Sequence, residues 1–475
     1  MLNTFLKPIR LGIEAVGTGL ARLDLIDGDR ALRVSNLAWP RIVTGLARMS
    51  KATADVAMVG TALGATAIAG VGYAIPYWAL AFMIGGGIAG GTISLVSQRF
   101  AAGNHRASST AIKVSGVFSI VAMIPLVATF WLIPGPLIQL LGAEGDAVRY
   151  GVEYLRMVSL AMPFSAVNLV ASRALIGGND AWTPMIVRAG GAVANVGLNA
   201  LFIFVLGLGV AGAALGTVIV AVASTAVFAV GLTRGALPLV GRLPIRIDWS
   251  GPHWNRRTAR HLAEISTPLA LTNVAQNGGQ FPLLIVVSLF GPQVVAAFVV
   301  ALRVRDLLNT PGWGFGLASS SLVGQALGVD REEDAGGYAR DALRYAVTVY
   351  AIGAVAVFAF AHPITFLFVD DPAIVPVTTG LIRATCVSVV LWGVMNGALG
   401  PLRASGDTRW PLYGQLLGLM AFALPAAYLG AVTPLGLTGL YVALVLETAV
   451  PAAVTYYRYQ SDTWKIVSRS YRQAA

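Results

Sequence analysis

Charged residues are scarce in this chain, and their scarcity excludes most soluble folds. Asp, Glu, Lys and Arg make up 12% of the 475 residues, while 56% are hydrophobic and the mean hydropathy is +0.73. Soluble domains carry about 25% charged residues. Because a helical span needs about 20 residues, the chain has room for roughly twelve spans. The composition predicts an all-α integral membrane protein.

Cysteine and histidine are also rare, which limits the chemistry that the chain can perform. The single cysteine, Cys386, excludes an internal disulfide, and the four histidines show no paired metal-ligand spacing. The sequence contains no Walker A motif, so direct drive by ATP is excluded. We therefore expect no enzymatic activity, no catalytic residues, no cofactor and no metal other than a transported Na⁺.

Basic residues exceed acidic ones, giving a net charge of +11. In a soluble protein this excess would suggest nucleic acid, but here the basic residues cluster in alternate loops between apolar runs. They lie near 99–106, 234–260, 331–344, 403–409 and 458–472. This pattern is typical of cytoplasmic loops. It predicts a multi-pass plasma-membrane protein with both termini in the cytoplasm, the lipid bilayer as partner, and no nucleic-acid partner.

Three sequence matches recur 227 residues apart. SLVSQ at 94–98 matches SLVGQ at 321–325, Pro184 matches Pro411, and Gly209 matches Gly436. We interpret the chain as two copies of a six-helix unit, whose even number of spans keeps the copies parallel. The predicted order is an amphipathic segment 1–34, an N-terminal lobe 35–233, a cytoplasmic linker 234–261, a C-terminal lobe 262–459 and a basic tail 460–475.

The twelve predicted spans follow the apolar runs between these loops, and the fourth bends near Pro163. They cover about 36–60, 66–98, 110–133, 150–176, 185–206, 209–233, 262–290, 293–325, 337–368, 374–403, 409–433 and 436–459.

The first predicted span carries ionisable residues at membrane depth: Arg41, Arg48, Lys51 and Asp55. Such groups are costly in a bilayer and usually functional. Asp55 adjoins the apolar run 56–59, so it is the candidate ion-handling carboxylate.

These segments resemble the multidrug and toxic compound extrusion (MATE) family. The resemblance rests on ADVAMVG at 54–60, on the two SLV segments, on GLGVAGAALGT at 207–217 and on RASGDTRWP at 403–411. It covers about 36–458. It implies twelve helices in two pseudo-symmetric lobes, forming a V-shaped antiporter that couples cation entry to the efflux of organic compounds.

The resemblance also implies a set of ion-coupling residues in the N-terminal lobe. In the archaeal and DinF-like branches the first-helix Asp is joined by residues that correspond here to Asn195, Asn199 and Thr217. Asn199 departs from the pattern, because some relatives carry a second carboxylate there. The NorM-like branch uses acids in helices seven and ten, where this sequence offers the amides Gln276, Asn277 and Gln280 in helix seven, and Asn396 but no acid in helix ten. The DinF-like branch is therefore favoured.

The residues themselves allow several interpretations of this site. Asn195 and Asn199 are four apart and share one helix face. Their oxygens, with those of Asp55 and Thr217, suit Na⁺, whereas the single carboxylate favours H⁺. The asparagines would alternatively only join helices through hydrogen bonds.

Lys51 lies one helical turn before Asp55. A Lys–Asp pair at that spacing would keep the carboxylate ionised and make it a poor proton carrier near neutral pH. Alternatively, Lys51 would compete with the transported cation. Both interpretations stay open at the level of sequence.

The second lobe has its own charged residues within predicted spans: Arg303, Arg305, Asp306 and Glu447. They would either neutralise one another or contact a charged substrate. An aromatic substrate pocket is a further hypothesis, with simple packing as the alternative. Its candidate residues are Trp78 and Phe281, together with Phe82, Trp313, Phe315 and Trp392.

The sequence as a whole predicts a monomeric secondary antiporter that exchanges H⁺ or Na⁺ for small organic, cationic or lipophilic compounds. The alternative is a flippase for lipids or lipid-linked saccharides, with a basic cavity lined by Arg41, Arg48, Lys51, Arg303 and Arg305. A third possibility is an uncoupled channel or scaffold.

Overall fold

The computed structural model describes residues 2–238, 240–368 and 374–473, and these are almost entirely helical. In these ranges the strands are Ala236–Leu237 (β1) and Gly241–Arg242 (β2), which pair in one antiparallel hairpin. The α-helices are Leu2–Arg22 (α1), Gly28–Leu63 (α2), Ala65–Ala101 (α3), His105–Leu132 (α4), Pro134–Leu140 (α5), Asp146–Ser159 (α6), Met162–Gly177 (α7), Trp182–Ala200 (α8), Gly209–Arg234 (α9), Arg256–Gly278 (α10), Gln280–Ser288 (α11), Pro292–Gly328 (α12), Glu332–Ala359 (α13), Ala361–Phe366 (α14), Val375–Ser405 (α15), Arg409–Leu416 (α16), Leu424–Val432 (α17), Leu437–Gln460 (α18) and Thr463–Gln473 (α19). Two π-helical segments, Leu201–Val205 and Leu417–Ala423, continue α8 and α16.

Many of these helices can cross a bilayer. Among the described residues, eight helical segments are long and apolar enough, and the bent pair α6–α7 makes nine. The two helices of that pair meet at 47°, next to Pro163, where the sequence predicts a bend. The elements α2, α10–α11 and α12 cover the remaining predicted spans, and α2 and α12 carry the ionisable residues noted above.

The duplication extends to the helix bounds. The helix α3 covers 65–101 and α12 covers 292–328, so both bounds are shifted by 227 residues, and α4 and α13 show the same shift. Left-handed backbone recurs at this spacing at Gly64 and Gly291, Gly103 and Asp330, Asn179 and Gly406, and Gly209 and Gly436. The backbone turns therefore repeat even where the residue types differ.

The chain divides into two compact units: unit I is Met1–Ile42 with Leu271–Ala475, and unit II is Val43–Ala270. Their bounds differ from those of the predicted lobes. The first 42 residues belong to unit I, and the predicted linker 234–261 belongs to unit II. Both divisions fall inside helices, α2 and α10.

Unit II is built around an apolar cluster that α3 shares with α4, α6 and α9. The glycine-rich segment 85–91 of α3 lets its neighbours approach closely, as the sequence predicts. A Cβ at Gly87 would lie 2.5 Å from the backbone nitrogen of Ala270. The predicted linker is attached to α4, where Lys113 Nζ donates to the carbonyl oxygens of Asp248 at 2.8 Å and Gly251 at 3.0 Å.

Unit I has an apolar cluster formed mainly by α12, α15 and α18. The predicted amphipathic segment includes α1, which packs on α13 through the buried Tyr345, whose hydroxyl donates to the carbonyl oxygen of Ile13. The predicted basic tail, 460–475, includes α19. Trp464 of this helix is fully buried against α12, α13 and α15.

Candidate cation site

Three helices of unit II bring the predicted ion-coupling residues together. Helix α2 carries Asp55, α8 carries Asn195 and Asn199, and α9 carries Thr217. The two asparagines are fully buried and Thr217 is 9% exposed. The side chain of Asp55 is 16% exposed, so the carboxylate lies at the accessible edge of the cluster.

One hydrogen-bonded network joins these four side chains. Asn199 Nδ2 donates to Asp55 Oδ1 at 2.8 Å and to Asn195 Oδ1 at 3.2 Å. Asn195 Nδ2 donates in turn to Thr217 Oγ1 at 3.3 Å. The spacing of the asparagines therefore places them on one helix face, as predicted. The ion-coupling role of the cluster stays a prediction.

Gly216 makes room for this network, and sequence reasoning did not identify it. A Cβ at Gly216 would collide with Asn199 Oδ1. That oxygen is buried and accepts no hydrogen bond from the described residues. Helix α8 also changes to π-helical geometry directly after Ala200, in the segment Leu201–Val205. Such segments frequently occur at functional sites.

Lys51 and Asp55 form the ion pair that the sequence left open. Lys51 Nζ lies 2.6 Å from Asp55 Oδ2, and it also contacts Thr217 Oγ1 at 3.4 Å. The Lys51 side chain is 23% exposed. The ammonium group thus contacts two of the four predicted ligands, one on its own helix and one on α9.

Unit I contains a second, more deeply buried ion pair. Arg305 Nη1 donates to Glu447 Oε2 at 2.9 Å, and the two side chains are 1% and 5% exposed. The guanidinium carbon of Arg305 lies 5.1 Å from the centroid of the Trp392 ring. This cation–π contact provides further stabilisation of the buried charge.

The charged residues Arg303, Arg305 and Asp306 lie on different faces of α12. Arg303 and Asp306 lie on the exposed side of α12, whereas Arg305 points into unit I. Successive helical residues are about 100° apart, so positions 303 and 305 fall on nearly opposite faces. Glu447, from a distant part of the sequence, is the partner of Arg305.

The candidate aromatic residues are divided between the two units. In unit II, Trp78 packs edge-on against Phe82, with ring centroids 5.4 Å apart. In unit I, Phe315 is fully buried. The guanidinium carbon of Arg41 lies 5.6 Å from the ring centroid of Trp313, a residue that is 42% exposed. Phe315 and Trp392 are therefore core residues. Phe281 lies in α11, but its side chain is outside the described part of the structure.

Comparisons with known proteins identify the family of this chain. The MatE family model matches residues 40–201 and again 268–429, so one model describes both copies of the repeat. The probable multidrug resistance protein YoeA of Bacillus subtilis is 24% identical over 418 residues, 86% of this chain and 88% of that protein. A probable multidrug resistance protein NorM of Bradyrhizobium diazoefficiens is 25% identical over 461 residues, 92% of this chain and 95% of that protein.

The fold of this chain is also found in solved structures of other proteins. A MOP superfamily transporter from Pyrococcus furiosus aligns with a TM-score of 0.83 at 23% identity, over 92% of this chain and 96% of that one. The family model matches both copies of the repeat, and the structure contains several apolar helices. This chain therefore belongs to the MatE family, the multi-pass membrane transporters of multidrug efflux.

Proposed function

We propose that this protein is a secondary active exporter that exchanges H⁺ or Na⁺ for organic, cationic or lipophilic compounds by alternating access. The observation that carries this proposal is the bond from Asn199 Nδ2 to Asp55 Oδ1 at 2.8 Å. It places a carboxylate within a cluster of amide and hydroxyl groups from three helices. Intramembrane carboxylates of this kind mark ion pathways in transporters.

Both candidate ions fit the chemistry of the cluster. Na⁺ prefers oxygen ligands as a hard cation, and the side chains of Asp55, Asn195, Asn199 and Thr217 all contain oxygen. The single carboxylate, with neutral Asn199 where some relatives carry a second carboxylate, favours H⁺. We therefore propose H⁺ or Na⁺ as the coupling ion, with no other cofactor.

The position of the cluster supports assignment to the DinF-like branch. Its members lie on α2, α8 and α9, the first, fifth and sixth predicted spans. At the 227-residue spacing of the repeat, Asp55 corresponds to Pro282, so the second copy has no counterpart acid. The ion site is therefore proposed for the first copy alone.

The membrane arrangement follows from the helices and the loop charges. The nine apolar segments, with α2, α10–α11 and α12 added, give twelve spans in two pseudo-symmetric six-helix lobes. The alternate basic loops support a cytoplasmic position for both termini. We propose a monomeric plasma-membrane protein with the bilayer and small organic substrates as its partners.

Two ion pairs in the structure weaken the flippase alternative. Its basic cavity needs uncompensated cations, yet Lys51 is paired with Asp55 and Arg305 with Glu447. Both pairs remove positive charge that would recognise a phosphate-bearing headgroup. Efflux of organic compounds is accordingly the function that we propose.

The decisive experiment is transport by the purified protein in liposomes. We expect efflux of an ethidium-like cation to follow an imposed pH or Na⁺ gradient, and Asp55→Asn to abolish this coupling. Glu153→Gln, which neutralises an exposed acid on α6 of the same unit, is the matched control. Full drug–cation exchange by Asp55→Asn would contradict the proposal. Substrate flux that is independent of both the pH and the Na⁺ gradient would indicate a channel. Transport of lipid-linked saccharides alone would indicate a flippase.

A further inference from the structure

Lys51 lies where a bound cation would be expected. Its Nζ is 2.6 Å from Asp55 Oδ2 and 3.4 Å from Thr217 Oγ1, while Asn199 donates to the other carboxylate oxygen of Asp55. The ammonium group therefore lies between a carboxylate on α2 and a hydroxyl on α9. These are two of the oxygen-bearing groups that the proposed coupling ion would use.

We propose that Lys51 is an internal competitor of the coupling ion, occupying Asp55 in the ion-free site and being displaced when H⁺ or Na⁺ binds. This inference rests on the proposed function and specifies how the ion site is regulated. A carboxylate in a poorly hydrated site needs a compensating positive charge. The pair is only partly exposed, at 23% and 16% for the two side chains, so salt screens it less than a surface pair.

Displacement of Lys51 by the coupling ion changes the net charge of the site. In the ion-free state the ammonium and the carboxylate sum to zero. When Na⁺ binds, it replaces the ammonium on the carboxylate, and the site then carries one net positive charge. When H⁺ binds, Asp55 becomes a neutral carboxylic acid while Lys51 keeps its own proton, so the sum is again one positive charge. The ion-loaded site is thus the form on which the membrane potential acts.

A neutral residue at position 51 reverses which form of the site carries the net charge. With Lys51→Met the ion-free site would carry one negative charge and the loaded site none. The competing ammonium would also be gone. An adjacent opposite charge changes the proton affinity of a carboxylate by about tenfold or more, and we expect a change of similar size for Na⁺. The coupling ion would therefore bind more tightly in this variant.

The test compares four full-length proteins in liposomes and in detergent: wild type, Lys51→Met, Lys51→Arg and Lys113→Met. Two quantities are measured, the binding of ²²Na⁺ and the dependence of drug-driven proton exchange on external pH. We expect Lys51→Met either to bind Na⁺ about tenfold more tightly or to reach half-maximal exchange at about a tenfold lower proton concentration. Which of the two changes depends on the ion that the protein uses.

Two of these variants are controls. Lys51→Arg keeps the positive charge, so its ion affinity should lie nearer to that of wild type than to that of Lys51→Met. Lys113→Met removes a lysine of the same unit that contacts carbonyl oxygens of the 248–251 segment, and it should leave ion affinity unchanged. Lys51→Gln, which keeps a hydrogen-bond donor but no charge, replaces Lys51→Met if that variant does not elute as a single folded species.

A folded neutral variant with wild-type Na⁺ affinity and a wild-type pH profile would overturn the inference. Failure of the inference about Lys51 is distinguishable from failure of the proposed function. If Asp55→Asn is uncoupled while Lys51→Met behaves as wild type, only the role of Lys51 is wrong. If Asp55→Asn exchanges normally, the ion-coupling site itself is wrong.

Discussion

Arg305 and Glu447 form an ion pair 2.9 Å long whose side chains are almost completely buried, although 142 residues separate them in the chain. Removing one partner of such a pair leaves an uncompensated buried charge, which costs about 3–5 kcal/mol. We therefore expect Glu447→Gln to lower the thermal unfolding midpoint of the purified protein markedly.

The double variant Arg305→Met/Glu447→Leu provides the comparison for this pair. Replacing both charges with apolar groups of similar volume is often nearly neutral. The double variant should thus be more stable than Glu447→Gln in the same thermal scan. Equal destabilisation of both proteins would indicate that packing, rather than the unpaired charge, determines the effect.

Gly216 should prove as important as the polar residues of the cluster. A methyl group in Gly216→Ala would displace Asn199 and break its bond to Asp55, and a hydrogen bond to a charged group contributes about 1.5–3 kcal/mol. We expect about a tenfold or greater loss of Na⁺ affinity, measured by ²²Na⁺ binding. Gly197→Ala on α8, where an added Cβ meets nothing within 4 Å, is the control and should bind normally.

Asn199→Asp should increase the affinity of the site for Na⁺. The new carboxylate would lie beside Asp55, since Asn199 Nδ2 is now 2.8 Å from Asp55 Oδ1. Two adjacent carboxylates repel each other and favour a bound cation or a shared proton. We expect ²²Na⁺ binding to tighten by about tenfold. Asn195→Asp, one turn earlier, should have a smaller effect, and equal effects would argue against direct contact with Asp55.

The stability of unit II should decrease in mild acid because of His261, at the start of α10. Burial lowers the pKa of His261 from its ordinary value of 6.5, and the neighbouring Arg99, Arg257 and Arg260 act in the same direction, opposed by Glu264. The folded protein therefore favours neutral histidine. Its contribution to stability is present above pH 6.5 and is lost as the pH falls below that value.

A series of thermal unfolding midpoints between about pH 5 and 8 checks this prediction. Wild type should lose more stability toward acid than His261→Gln, which has no titrating ring. Parallel curves for the two proteins would show that His261 does not contribute.

Helix α19 should be necessary for the stability of unit I. Trp464 is fully buried, and truncating a buried Trp to Ala typically costs about 3–5 kcal/mol. We expect Trp464→Ala to lower the thermal midpoint substantially and to leave the coupling ratio unchanged. Ile466→Ala removes a residue of the same helix that is 59% exposed, and it should have little effect on either quantity.

Hydropathy and spacing were sufficient to predict much of this structure. Apolar runs predicted the positions of the helices, because burial in lipid requires long uninterrupted segments. The i, i+4 spacing predicted that Asn195 and Asn199 share a face. The role of Gly216 was not predictable in this way, because it depends on a side chain that a different helix places against it.

The features that the sequence does not reveal have equally specific causes. Arg303 and Arg305 are close in sequence, but helical rotation places them on different faces. The division between Ile42 and Val43 falls inside α2, a continuous helix, so no turn or change in composition marks it. The helical tail depends on the tertiary contacts of Trp464, which the local sequence does not reveal.

The division inside α2 has a consequence for dissecting the protein. A cut in the 234–255 segment would separate the two sequence copies, but the first fragment would retain α1 and the 28–42 part of α2, which belong to unit I. Neither fragment would contain one complete unit and nothing else. We therefore expect that neither half folds independently, and that complementation requires the two fragments to be expressed together.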